Sequence, residues 1–145
     1  YPGGFACLGH GWEGTGVPWR PHVASEREAG VYRVARAAIS MSIRADLPRY
    51  TSDRLLRMLC CGAVCLVERF ADCEVLGLRD GENCLLWDGA ADLLALLARA
   101  LSQDLDGMRE QAVQLARHHT WENRMPELQA VVDGAREYAR MGHHA

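Results

Sequence analysis

The stretch of residues 46–70 constrains the fold more than any other part of the sequence. It begins with a loop that Pro48 keeps extended, and the polar residues 51–53 can then start an apolar helix. Gly62 can end that helix, and the short apolar run 63–67 that follows is typical of a buried strand. Loop, helix, glycine and buried strand in this order favour an α/β domain with a parallel sheet.

The start of this helix is also a candidate anion site. The first N–H groups of a helix have no partner within the helix, and its dipole is positive at that end, so phosphate is favoured there. Arg49 and Arg54 flank Thr51, Ser52 and Asp53 and can add guanidinium charge. The same residues also fit an ordinary capped helix with arginines on its surface, and both interpretations are open at this point.

Short apolar runs elsewhere predict the remaining strands of a mostly parallel sheet in a three-layer domain. The four predicted strands are residues 6–8, 39–43, 63–67 and 85–87. Two prolines make residues 17–22 an extended connector between the first strand and the first helix.

Several polar residues predict where the helices begin. Ser25 and Glu28 have the spacing of a capping box, and Asp88 can cap a following leucine-rich helix, which we expect to be almost wholly buried. A carboxyl-terminal helix is expected over about residues 120–141, where Pro126 should kink it or make it restart.

Composition limits the functions that are open to the chain. Its 145 residues fit one domain, residues 1–145, and 49% hydrophobic with 24% charged residues is ordinary for a globular protein. A net charge of −3 gives no electrostatic reason to bind nucleic acid or an anionic membrane. No apolar run approaches the roughly 20 residues of a membrane span, and no signal peptide is visible.

The six cysteines show no C-x-x-C pair, so neither a zinc site nor a redox centre is expected. Cys60, Cys61, Cys65 and Cys84 lie in apolar runs, which predicts buried free thiols and a location in the reducing cytoplasm.

An ordered set of motifs resembles the carboxyl-terminal half of the two-domain (GT-B) glycosyltransferases of group 1, and most of all the branch with the spore-coat CgeB-like proteins. The set comprises Tyr-Thr-Ser-Asp-Arg-Leu-Leu at residues 50–56, Cys-Gly-Ala at 61–63, Gly-Glu-Asn at 81–83, Trp-Asp at 87–88, and His-His-Thr-Trp-Glu-Asn-Arg at 118–124. This resemblance implies a Rossmann-like domain that binds the nucleotide-sugar donor as a substrate, with no metal and no further cofactor.

The resemblance also implies which residues contact the donor. The glycine-rich loop with His10 and Trp12 should face the cleft between the two halves, although a flexible loop with a packed indole would look the same. Relatives usually carry a ribose-binding glutamate where this chain has Arg57, so that contact is altered here. The candidate donor-binding residues are His10, Gly11, Trp12, Arg49, Tyr50, Thr51, Ser52, Asp53, Arg54 and Arg57.

Two functions are therefore considered. The first is the donor-binding half of a glycosyltransferase; because the chain starts at Tyr1 and covers one half of such an enzyme, it should lack the amino-terminal half and be inactive alone. The second is a non-catalytic binding or assembly module that keeps the fold. A flavodoxin-like regulatory domain is disfavoured, because no acidic cluster follows the strands. The carboxyl-terminal helix should run toward an amino-terminal half, be partly exposed, or pair with a second copy in a homodimer.

Overall fold

The computed structural model describes residues 4, 7–8, 13–16, 18–21, 23–42 and 44–142. The strands in this part of the chain are β1 (Cys7–Leu8), β2 (Trp19–Arg20), β3 (Ala38–Ser40), β4 (Cys65–Glu68) and β5 (Leu85–Trp87). The helices are α1 (Ser25–Val34), α2 (Asp53–Cys60), α3 (Ala90–Ser102), α4 (Asp106–His118) and α5 (Trp121–Gly142), and a 3-10 turn spans Cys73–Leu76.

The central sheet is parallel and has the order β3-β4-β5. β4 lies in the middle, where Leu66 is paired with Ile39 of β3 and with Leu85 of β5. In a parallel sheet the carboxyl ends of the strands meet at one edge, which we call the carboxyl edge. It is where sheets of this kind bind ligands.

Helices cover both faces of this sheet. Cys65 and Val67 of β4 pack in one cluster with α2 and α4, and Val64 and Leu66 pack in a second cluster with α3. Successive residues of a strand point to opposite faces, so this alternation builds two cores from one strand. The prediction of a three-layer α/β domain is confirmed.

The first predicted strand belongs elsewhere. β1 pairs in parallel with β2, inside the segment that we expected to be an extended connector, and these two strands form a separate small sheet. The expectation that all four predicted strands share one sheet is therefore wrong. Pro18 and Pro21 limit β2 to two residues, because proline has no N–H for a strand ladder.

Three expectations about helix caps and helix burial are also wrong. The N-cap of α1 is Ala24 without a side-chain hydrogen bond, and Glu28 bonds to other helical residues instead of closing a capping box. The N-cap of α3 is Gly89, because the Asp88 carboxylate accepts hydrogen bonds from an arginine of the neighbouring loop. Leu94 of α3 is 67% exposed, because α3 packs on the sheet along one side only. α5 continues through Pro126 and does not restart there.

Arg109 of α4 joins three backbone segments at the amino ends of the strands. Its guanidinium donates hydrogen bonds to the carbonyl oxygen of Gly62 at 2.8 Å, to that of Arg36 at 2.8 Å, and to that of Ala35 at 3.4 Å. Gly62 ends α2 as predicted, with a φ of +70° that few other residues adopt. One side chain thus holds the entrance to β3 against the entrance to β4.

All six cysteines are free, but they are not equally buried. Cys65, Cys73 and Cys84 are buried as small apolar side chains. Cys60 is exposed and Cys61 is half-buried, so the expectation of a buried thiol is wrong for Cys60 and only partly met for Cys61. Burial raises the pKa of the Cys65 thiol well above its usual range and raises the pKa of Cys84 to about 12.

Removal of the Arg109 guanidinium should destabilise the fold. We expect Arg109→Met to lower the free energy of unfolding by about 1.5–3 kcal/mol, because hydrogen bonds from a charged donor to the three carbonyl groups are lost. Arg117→Met is the matched control: it removes an exposed arginine of the same helix and should cost less than about 0.5 kcal/mol. Urea unfolding measures both values, and equal losses would show that the three carbonyl contacts contribute nothing.

The buried thiols should make the fold less stable at alkaline pH. The sequence contains no lysine, so cysteine and tyrosine side chains carry most of the titration between about pH 8.5 and 11. The unfolded chain releases these protons near the usual values, about 8.5 for cysteine, whereas the folded chain retains them on Cys65 and Cys84. The free energy of unfolding should therefore be highest below about pH 8.5 and fall as the pH rises through the folded pKa values.

Urea unfolding at about pH 7.5 and about pH 10 tests this prediction. Cys84→Ala should flatten the loss of stability between the two pH values, and Cys60→Ala, which removes an exposed thiol, should leave the loss unchanged. If the parent protein and Cys84→Ala lost the same free energy of unfolding between the two pH values, Cys84 would not be a cause of the loss.

Candidate functional site at the carboxyl edge of the sheet

Three loops meet at the carboxyl edge. The loop after β3 leads into α2, the loop after β4 leads into the 3-10 turn, and the short loop after β5 leads into α3. The residues from Arg49 to Arg54 that the sequence singled out lie in the first loop and the first turn of α2. These residues thus lie at the carboxyl edge, where parallel sheets generally bind ligands.

Backbone hydrogen bonds hold the first two loops against each other. The N–H of Arg49 donates to the carbonyl oxygen of Ala71 at 2.9 Å, and the N–H of Ala71 donates to that of Ala45 at 3.0 Å. The N–H of Ser42 donates to the carboxylate of Glu68 at 3.1 Å. The loop that enters α2 is therefore fixed to the end of β4 by several contacts.

Two residues at this contact adopt left-handed backbone conformations. Arg49 has a φ of +58° and Asp72 has a φ of +61°, and their side chains approach to 3.7 Å between Nε and Oδ2. Such conformations cost roughly 1–3 kcal/mol each in residues other than glycine, and they concentrate at functional sites. The Arg49 side chain is 64% exposed, so its guanidinium is accessible from solvent.

The amino end of α2 keeps its N–H groups free of a side-chain cap. Ser52 occupies the N-cap position, but its hydroxyl makes no capping hydrogen bond, so the expected capping by the polar cluster is wrong. Among the described residues, Ser52 Oγ and Trp87 Nε1 are the buried side-chain polar atoms without a hydrogen-bond partner. Buried polar atoms are usually paired, so the unpaired Ser52 hydroxyl is unusual, but it is shielded from solvent in this conformation and does not itself offer a binding position.

Arg54 lies close to the start of the same loop. Its guanidinium donates to the carbonyl oxygen of Met41 at 3.4 Å, and the side chain is exposed. Tyr50 is 41% exposed and Thr51 is half-buried. Arg49 in the loop and Arg54 in the first turn of α2 thus lie at the end of the helix where its dipole is positive.

Arg57 connects α2 to α1. Its guanidinium bonds to the carboxylate of Asp53 at 2.9 Å and to that of Glu28 of α1. The other oxygen of Glu28 accepts a hydrogen bond from the hydroxyl of Tyr32 at 2.8 Å. Burial and this hydrogen bond raise the pKa of Tyr32 to about 12. Because Arg57 offsets the charge of Asp53, the carboxylate nearest the helix start is less repulsive to an anion.

Other motif residues of the chain stabilise turns. The Asn83 side chain accepts from the N–H of Arg79 and donates to the carbonyl oxygen of Gly77, both at 2.9 Å. His119 Nε2 lies 2.9 Å from the carbonyl oxygen of Leu76, so it fixes the 3-10 turn to the end of α4. His10, Gly11 and Trp12 lie outside the described residues.

The sequence analysis missed an arginine at the centre of the edge. Arg69 follows β4 directly; its Nε bonds to both carboxylate oxygens of Asp88, at 3.2 and 3.1 Å, and its Nη1 lies 4.0 Å from the carboxylate of Glu74. The hydrogen bond to Asp88 raises the pKa of Arg69 further. Its position immediately after a buried apolar run was the available signal, because that position places a residue at the carboxyl edge.

A cavity of about 470 Å³ lies at the opposite edge of the sheet. Arg33, Asp104 and Arg109 line it together with Val64 at the entrance to β4. Parallel sheets bind ligands at the other edge, and Arg109 has its hydrogen bonds satisfied by the backbone. We therefore place the candidate site at the carboxyl edge and not in this cavity.

The part of the chain that the structure describes has no cluster of three or more histidine, cysteine or acidic side chains that could hold a metal ion. None of its described helices has the length and apolar character needed to cross a membrane.

Comparison with known proteins assigns the chain to a family. A family model described as glycosyl transferase-like matches residues 2–130, which is most of the chain. No curated protein and no solved structure matches it. The glycosyltransferase resemblance is therefore confirmed, and the closer likeness to the CgeB-like branch stays a prediction.

Charge reversal at Arg57 should weaken the connection between α1 and α2. Arg57→Glu would place a third carboxylate beside Glu28 and Asp53, and we expect a loss of about 1–2 kcal/mol in the free energy of unfolding. Arg57→Lys keeps the charge but cannot bond both carboxylates with a planar fork, so its loss should be smaller. Urea unfolding compares the two variants, and unchanged stability of Arg57→Glu would contradict this role.

Proposed function

The chain belongs to the glycosyl transferase-like family, and from this premise we propose that it binds the nucleotide-sugar donor of a glycosyltransferase. It would act as the donor-binding half of a GT-B enzyme, with the acceptor held by a second, amino-terminal half. The family membership supports sugar transfer as the class of reaction. The residues at the carboxyl edge support donor binding as the role of this domain.

The amino end of α2 carries the proposal. Two features of the described residues favour a diphosphate at this position. The N-cap of α2 makes no side-chain hydrogen bond, and the guanidinium groups of Arg49, in the preceding loop, and Arg54, in the first turn of α2, lie nearby. A helix start contributes about half a positive charge, and each arginine can add a charge-assisted hydrogen bond.

The proposed chemistry requires stabilisation of a leaving group. Sugar transfer breaks the bond between the anomeric carbon and the diphosphate oxygen, so negative charge develops on the departing diphosphate. Fixed N–H groups at the start of α2 and guanidinium groups close to it can stabilise that charge. The chain offers no group that we assign as the catalytic base, and we expect that role to lie in the amino-terminal half.

One observation favours a second function. The expected ribose-binding acid is replaced by Arg57, and the guanidinium of Arg57 is engaged with Glu28 and Asp53. A domain that had lost donor binding and acted as a non-catalytic binding or assembly module would tolerate this replacement. The two functions differ in whether a nucleotide-sugar binds at all.

A thermal-shift panel of UDP-, GDP- and dTDP-sugars separates these functions. A ligand that binds only the folded chain raises the melting temperature by mass action, so at least one donor should stabilise the protein. If no member of the panel shifts the melting temperature and calorimetry detects no binding, donor binding is refuted and the assembly module remains.

Removal of one arginine then locates the site. Arg54→Ala deletes one charge-assisted contact, so the affinity for the nucleotide-sugar, measured by calorimetry, should fall roughly ten- to a hundredfold. Arg36→Ala is the matched control, because it removes an exposed arginine from the opposite edge and should leave the affinity unchanged. Equal affinities for the parent protein and Arg54→Ala, with binding detected, would place the diphosphate elsewhere.

A further inference from the structure

α5 has almost no partner in the structure. It is a helix of 22 residues, and each of its side chains from Trp121 to Met141 is exposed. Among the described helices and strands, α4 is the element whose backbone lies against it. Most of the stability of a helix in a protein comes from packing of an apolar face, so a helix of this kind is expected to pack against something.

The apolar residues of α5 follow the spacing of a coiled-coil seam. Steps of four and three residues alternate along the helix, which is the heptad pattern that keeps one face toward a partner helix. The exposed fractions in the middle of the seam are 47% for Met125, 49% for Leu128 and 37% for Val132. The residues of the seam are Trp121, Met125, Leu128, Val132, Ala135 and Ala139.

We propose that this face binds α5 of a second copy of the chain, as an antiparallel helix pair whose two-fold axis passes between the helices at the level midway between Leu128 and Val132. The proposal concerns an interface that is separate from the carboxyl edge of the sheet. It does not depend on donor binding.

The side-chain sizes along the seam complement each other in this arrangement. The large side chains lie in the first half of α5 and the small ones in the second half. An antiparallel pair about this two-fold axis brings each large residue opposite a smaller one, in the layers Trp121 with Ala139, Met125 with Ala135, and Leu128 with Val132, each formed twice. A parallel pair would instead stack Trp121 on Trp121 and leave Ala135 and Ala139 facing their own copies across a gap. Dense packing without voids favours the antiparallel arrangement.

The charges beside the seam also complement each other. In the antiparallel pair, Glu122 lies beside Arg136 of the partner subunit, and the same contact occurs twice by symmetry. Arg124 comes opposite the aromatic ring of the partner's Tyr138, where a cation–π contact is favourable. In the isolated chain Arg136 bonds to Asp133 of its own helix at 3.3 Å, an exposed pair that contributes little and can exchange.

Sedimentation velocity at low ionic strength, over about a hundredfold range of protein concentration, tests the proposal. The parent protein should shift from monomer to dimer as the concentration rises, and Leu128→Asp should remain a monomer throughout. Glu122→Arg should weaken the dimer about tenfold, because two attractive contacts become repulsive. The double variant Glu122→Arg/Arg136→Glu restores opposite charges and should return the dissociation constant to within about threefold of the parent value.

Glu137→Arg is the matched control, because it makes the same charge change on the side of α5 away from the seam and should leave the dimer unchanged. Leu128→Asp and Glu137→Arg should keep the melting temperature of the monomer, since α5 packs little on the rest of the chain. Glu122→Arg also removes a hydrogen bond between Glu122 and Thr120 at the start of α5, so the double variant, which has the same loss, is the comparison that isolates the contact with Arg136. A parent protein that stays monomeric, alone or when it binds an added amino-terminal half, would overturn the proposal. Equal weakening of the dimer by Glu122→Arg and Glu137→Arg would also overturn the proposal. So would a double variant whose dissociation constant stays weak, because only the antiparallel pair brings Glu122 next to Arg136.

Discussion

The structure depends on the complete burial of β4 between two strands and two layers of helices. β4 hydrogen-bonds to β3 and β5, and the residues from Ala63 to Val67 are at most 2% exposed. A strand with two apolar faces can be stable only if helices cover both sides of the sheet, and parallel pairing then requires a crossover between successive strands. One consequence is that every connection from a strand to a helix begins at the carboxyl edge. The position of the candidate site thus follows from the burial of one strand.

Electrostatics at this edge depends on arginines whose charges are offset to different degrees. Arg69 and Arg57 are each held by two carboxylates, Arg49 approaches a single carboxylate at 3.7 Å from a left-handed backbone conformation, and Arg54 contacts a backbone carbonyl oxygen. Arg69 and Arg57 therefore stabilise the loops and helices around the site, whereas Arg49 and Arg54 have charge available for a ligand. This division supports a diphosphate at the start of α2, where the helix dipole acts in the same direction.

The sequence was sufficient for features that depend on local apolar patterns and insufficient for features that depend on distant partners. β5 and the glycine end of α2 follow from short apolar runs and from Gly62, and the structure confirms them. The capping box at Glu28 failed because Arg57, 29 residues away, binds that carboxylate instead. The burial of α3 was overestimated because a leucine-rich pattern does not reveal how many of its sides are covered. Of the site, the sequence identified the helix start and its arginines but not Arg69, whose role depends on where the strand ends.

The central claim is that the carboxyl edge, at the amino end of α2, receives the diphosphate of a nucleotide. The most direct measurement is a titration of the protein with UDP and with GDP, followed by NMR of the backbone amide groups. The account predicts that one of the nucleotides causes its largest shifts at the amides of Ser52, Asp53 and Arg54, with little change around Arg109 at the opposite edge. Largest shifts around Arg109, or no shift with either nucleotide at saturating concentration, would contradict it.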